Sequence, residues 1–130
     1  MTPNRTAALA GAALFAAVGG WGLLAALSAS DSTAEVVLAG VFSTSVALAT
    51  LHLVVATVLA IGALLGDRWA RPVNVALGTL LLALGIYGLF VIGTPANVLA
   101  LNGADNVLNF AASSGLLATG LGAARHPSDA

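Results

Sequence analysis

Four long apolar runs, interrupted only by short polar breaks, leave this chain one environment in which to fold. The runs cover residues 6–29, 36–65, 72–93 and 105–124, and each approaches the about 20 apolar residues that cross a hydrocarbon core ~30 Å thick. Only 7% of the residues are charged and 59% are hydrophobic, whereas about a quarter of a soluble domain's residues carry charge. The mean hydropathy of +1.03 points the same way. The expected fold class is therefore all-α: an integral membrane four-helix bundle, antiparallel up-down-up-down, forming a single membrane domain over residues 1–130. Nothing is left over for a soluble domain.

The breaks carry the orientation. Arg5 precedes the first run, Arg68 and Arg71 separate the second from the third, and Arg125 follows the fourth. An even number of spans puts all of these on one side, and basic residues are retained on the cytoplasmic side during insertion. Both termini are thus expected to be cytoplasmic in a multi-pass cell-membrane protein. Asp31, Glu35 and Asp105 fall toward the opposite face. Trp69, flanked by Arg68 and Arg71, fits an interfacial anchor, and Pro72 fits the start of the third helix, where a missing N–H costs nothing. The first run, apolar from Ala7 to Leu27, is longer than the apolar core of a signal peptide and is read as a span.

Several chemistries have no residues to work with. Cysteine is absent, which removes thiol catalysis and dithiol exchange. No basic patch beyond the interfacial arginines suggests nucleic acid. No nucleophile, base and orienting group converge, so the chain is expected not to be an enzyme. Neither a metal nor another cofactor is expected, because the only histidine besides His52 is His126, beyond the last span.

Helices in lipid associate through close van der Waals contact, so small residues at helical spacing mark contact faces. In the second span these are Ser45, Ala49, His52, Ala56, Ala60 and Ala63, with Leu48, Leu51, Val55, Val58 and Leu59 turned toward lipid. Gly78, Gly85 and Gly88 mark the third span, and Ala111, Gly115 and Thr119 the fourth. Gly62 and Gly66 form a GxxxG pair at the end of the second, a spacing suited to a helix dimer. Pro95 and Gly103 bracket a mostly apolar stretch, Ala96 to Leu101. It is too short to span and reads either as an interfacial turn of helix or as the start of a longer, broken fourth helix.

Polar groups inside a membrane are costly and must be paired or functional. His52 falls near the middle of the second span, on its small-residue face. Asn102, Asn106, Asn109 and Ser113 recur at intervals of four, three and four on the fourth, with Asp105 beside them. Interhelical hydrogen bonds are the simpler reading of both features, and a polar cavity open to the outside is the other. If the second span enters the membrane a few residues after its apolar run begins, the depths of His52 and Asn109 differ by up to ~10 Å. Even so, the two are taken as one candidate seam.

Leu51-His52-Leu53-Val54, the glycine-bearing third span, and Asn102-Gly103-Ala104-Asp105-Asn106-Val107-Leu108-Asn109 resemble the small actinobacterial membrane proteins grouped as the DUF4383 family. The resemblance covers roughly Val36 to Ala124, and the first span matches it only in character. It implies a four-helix membrane protein and no established activity. Two positions depart from the family pattern: Ala49 stands where the family typically has asparagine, and Asn109 where it has histidine. A structural hydrogen bond would survive the second exchange; chemistry specific to histidine would not.

The expected function is a non-enzymatic structural or accessory role, as a homo-oligomer or a small subunit of a larger membrane complex, with the lipid bilayer as its solvent. A small channel or transporter using His52 and the asparagine stripe is the alternative. Small multidrug exporters have a comparable size, but they rely on a carboxylate in the first span, and this first span has none.

Overall fold

The computed structural model describes residues 1–31 and 35–122; Arg125, His126 and the end of the fourth apolar run lie outside them. In chain order the elements are α1 (Pro3–Ser28), β1 (Val36–Leu38), β2 (Phe42–Thr44), α2 (Val46–Leu64), α3 (Asp67–Val91) and α4 (Gly103–Leu117), the last running into a π-helical turn, Ala118–Gly122. The chain is thus mostly helical. The helices α1, α2 and α3 are long and apolar enough to cross a membrane, and α1, at 26 residues, extends about 39 Å.

Neighbouring helices run in opposite directions. A Cβ on Gly11 of α1 would meet Leu59 of α2, one on Gly19 would meet His52, and one on Gly22 would meet Ala49, so rising numbers face falling ones. Gly78, Gly85 and Gly88 of α3 likewise receive Leu117, Phe110 and Asn106 of α4. The third-span glycines lie against α4, where an absent side chain lets a neighbour's occupy its place. Packing is most extensive between α1 and α2 and between α3 and α4, and sparse between α1 and α4. The core holds Ala8, Ala12 and Phe15 of α1 with Leu48, Val55 and Leu59 of α2, Leu81 and Leu84 of α3, and Leu116 of α4.

The second apolar run is not one helix. Its first residues form an antiparallel hairpin in which Val36 pairs with Thr44 and Leu38 with Phe42. The turn has Ala39 at φ 51° and Gly40 at φ 71°, the two positive values that a tight hairpin turn requires. A continuous apolar run does not distinguish strand from helix. Here the β-branched Val36 and Val37, the Ala39-Gly40 step and the Ser43-Thr44-Ser45 stretch settle it. Ser45 then caps α2, its hydroxyl accepting from the Leu48 N–H at 3.2 Å, so its role is to start the helix and not to thin a packing face.

Other boundaries and faces also move. α3 begins at Asp67, so Pro72 lies inside the helix and leaves the Arg68 carbonyl without its usual donor four residues on. Gly66 makes the α2–α3 turn at φ 101°, in the left-handed region that favours glycine, which gives it a conformational role in this turn. Gly62 is filled by Val73 of the same chain, 3.0 Å from where its Cβ would stand. Ala49 and Ala56 are buried, but so are Leu48, Val55 and Leu59: α2 is covered on two sides, and of the five residues expected to face lipid Val58 is exposed and Leu51 half-buried. Ala111 is exposed and Gly115 opens on empty space, because α4 meets α3 through Asn106, Phe110 and Leu117 instead. Residues 94–102 form turns, not helix, held by Asn97, whose amide donates to the Leu101 carbonyl at 2.8 Å and accepts from the Leu101 N–H at 2.9 Å.

Candidate functional site

The starts of α2 and α4 are laced together at the hairpin end. Ser45 Oγ donates to the Leu99 carbonyl at 2.9 Å, and Asn102 Nδ2 donates to the Val41 carbonyl at 2.8 Å. Ser45 and Asn102 are also the respective N-caps, so equal counts along the two helices reach equal depth. His52 is seven residues beyond Ser45, and Asn109 seven beyond Asn102. Both therefore lie about 10.5 Å below the capping level. Moving the start of α2 from Val36 to Val46 removes the mismatch in depth that the apolar runs alone imply.

The same register holds one heptad deeper. Leu59 and Leu116, each fourteen residues from its cap, converge over Gly11: a Cβ there would be 2.9 Å from Leu59 Cδ1 and 3.8 Å from Leu116 Cδ2. Seven residues are close to two helical turns, so His52 and Asn109 form the layer directly above this leucine pair. Leu59 and Leu81 are fully buried, and the polar layer ends on an apolar floor.

Within the layer, His52 is 1% and Asn109 0% exposed. The imidazole lies against Phe15, ring centroids 5.2 Å apart and planes inclined by 46°, and its Cβ comes within 3.0 Å of the place a Gly19 side chain would take. Among the described residues, neither ring nitrogen of His52, and neither the amide oxygen nor nitrogen of Asn109, has a hydrogen-bond partner. The Asn106 oxygen is also without a classical donor and sits on the Gly88 backbone, where a Cα–H is the nearest substitute. Ser113 is buried on the same stripe.

The remaining members of the stripe are structural. Asn102 and Asp105 form a capping box: the Asn102 side chain accepts from the Asp105 N–H at 3.0 Å, and the Asp105 carboxylate from the Asn102 N–H at 3.0 Å. The Ser43 backbone N–H also faces this carboxylate, and Glu35 acts on it as a neighbouring like charge. Asp105 thereby joins α4 to the hairpin, although its Oδ1 is unpartnered. Asp105→Ala is expected to cost about 1 kcal/mol, a typical loss for a helix cap, offset in part by removal of that unpaired oxygen. Thermal unfolding in detergent measures the difference.

A second buried polar cluster occupies the opposite end. Asn74 of α3 is fully buried, and its Nδ2 donates to the Asn4 carbonyl at 2.9 Å, to Asn4 Oδ1 at 3.3 Å and to Thr119 Oγ1 at 3.3 Å. The sequence signal was an asparagine inside the third apolar run, with no periodic partners to draw attention to it. Arg5 Nε donates to the Ala63 carbonyl at 2.9 Å and Arg71 Nε to the Gly120 carbonyl at 3.1 Å. Arg5, Arg68, Trp69 and Arg71 thus share one end of the helices, with Trp69 and Arg68 exposed. Among the described residues no group of three or more His, Cys, Asp or Glu is placed to hold a metal.

The sequence pattern of the family described as a domain of unknown function (DUF4383) matches residues 5–122, and the chain belongs to that family. No curated protein and no solved structure matches it.

Proposed function

We propose that this DUF4383 member is a non-enzymatic integral membrane protein that works as an oligomer or as a small subunit of a larger membrane complex. The supporting observation is the open side between α1 and α4. Ala7, Ala10, Gly11, Ala111 and Gly115 line a groove of about 320 Å³ there, with almost no polar surface. Small residues let helix backbones approach closely in lipid, and of this row Ala10, Ala111 and Gly115 are exposed. The four helices span the bilayer with the arginine end cytoplasmic and the hairpin outside, as the positive-inside rule directs.

Substitution separates association from folding. Because a Cβ at Gly115 meets nothing within 4 Å, Gly115→Leu is expected to leave thermal unfolding within about 0.5 kcal/mol of wild type, as for a surface change. It should convert the associated species to monomer in cross-linking and light scattering in mild detergent. A wild-type protein that is monomeric and free of copurifying partners at native expression removes the proposal.

A channel or transporter is the second reading, favoured by the unpartnered polar atoms of His52 and Asn109. The apolar floor of Leu59, Leu81 and Leu116 weighs against a continuous path, and transport would require that layer to open. Flux into liposomes is expected to be equal for the intact protein, His52→Ala and Asn109→Ala. Flux in the intact protein that falls in both variants would establish transport instead.

A further inference from the structure

At the arginine end, Arg68 and Arg71 stand at the mouth of a groove of about 650 Å³ floored by Val75, Ala76 and Leu121. Its construction is specific. α4 abandons α-helical geometry at Ala118 and closes with a π-helical turn, a departure that concentrates at functional positions. Gly120 within this turn rests on α3 so closely that a Cβ would be 2.6 Å from Val75 Cγ2 and 3.2 Å from the Val75 backbone nitrogen. That approach delivers the Gly120 carbonyl to Arg71, whose Nε donates to it at 3.1 Å. A guanidinium held through Nε keeps its terminal NH2 groups as a planar fork, the geometry that suits a phosphate. Asp67, the one acid among the described residues that line the groove, accepts the Thr2 hydroxyl, and Arg68 and Arg71 outnumber it there.

We propose that this groove binds an anionic phospholipid, Arg68 and Arg71 pairing with its phosphodiester and an acyl chain lying along Val75, Ala76 and Leu121. The inference rests on the membrane reading above. An apolar floor beneath paired arginines fits a lipid better than free phosphate, and Leu121, 56% exposed, extends that floor outward. A zwitterionic headgroup would bring its own cation against the arginines. Basic pockets between helices on the cytoplasmic side have this preference for anionic headgroups.

The test is thermal unfolding of the full chain in dodecylmaltoside, with dioleoylphosphatidylglycerol, dioleoylphosphatidylcholine or inorganic phosphate added. Phosphatidylglycerol is expected to raise Tm by about 5 °C more than phosphatidylcholine does. The excess should vanish in the Arg68→Gln/Arg71→Gln double variant and persist in Arg5→Gln, whose arginine lies outside the groove. Native mass spectrometry of the wild type reads the same site without a variant: a phosphatidylglycerol adduct should survive competition by phosphatidylcholine. Equal shifts with the two lipids, an excess that survives the double substitution, or phosphate alone reproducing the shift each overturns the proposal. Carbonate washing of membranes separates the two readings. Protein released into the supernatant sinks membrane insertion itself, whereas protein retained without lipid preference sinks only the groove.

Discussion

Gly19→Leu is expected to destabilise the protein by about 3 kcal/mol, the upper part of the usual range for overpacking a tight interior. A Cβ at Gly19 would come within 3.0 Å of the Leu53 backbone nitrogen, 3.1 Å of the Ala49 carbonyl oxygen and 3.0 Å of His52 Cβ. Backbone atoms inside a helix cannot rotate aside as the tip of a side chain can, so α1 and α2 must separate. That interface is among the most extensive in the molecule, and it buries Phe15, Leu48 and Val55. Reversible unfolding in mixed micelles, followed by tryptophan fluorescence, gives the difference directly. Gly20→Leu is the control one residue away: nothing lies within 4 Å of its Cβ position, and stability should stay within about 0.5 kcal/mol of wild type. Equal losses in the two variants would mean that the close approach of α1 to α2 at Gly19 does not exist.

His52→Leu is expected to act in the opposite direction, raising stability by about 2 kcal/mol. Each buried polar atom without a partner costs roughly 1–3 kcal/mol, and both imidazole nitrogens are in that state. Leucine preserves contact with Phe15 and removes the unpaired atoms. A loss of stability would show that the nitrogens are satisfied, for which a water shared with Asn109 is the physical route. A double-mutant cycle with Asn109→Leu reports that coupling, since residues sharing a bond depart from additivity and independent ones do not. If His52→Leu stabilises the protein while impairing its role in the cell, the histidine is kept at a stability cost for function.

How much was legible beforehand differs by feature. The glycines of the third span stood out in the sequence because a helix packed closely on another must present small residues, whatever its partner. The partner's face was not legible: Ala111 and Gly115 have the same character as Gly78 and Gly85, yet only the latter two are filled by a neighbour. Small size permits contact and does not say which helix makes it. The hairpin was hidden for a related reason, since Val36 to Phe42 is apolar enough to extend α2 and hydropathy has no strand signal over so short a run. Asn102 and Asp105, placed in the seam by their spacing, form a cap and a tie to the hairpin, and Asp105 is buried together with Asn106, Asn109 and Ser113.

What the sequence determined by itself was element type: runs long and apolar enough to cross a membrane favour helices that satisfy their own backbone, and Arg5, Arg68 and Arg71 collect at one end of them. Tertiary structure alone decided depth and partnership. The hairpin takes up the first residues of the second run, so α2 starts at the same level as α4, and His52 and Asn109 share one layer above Leu59 and Leu116. That alignment depends on hydrogen bonds from Ser45 to Leu99 and from Asn102 to Val41, 54 and 61 residues apart in sequence, and no local pattern encodes contacts over that distance.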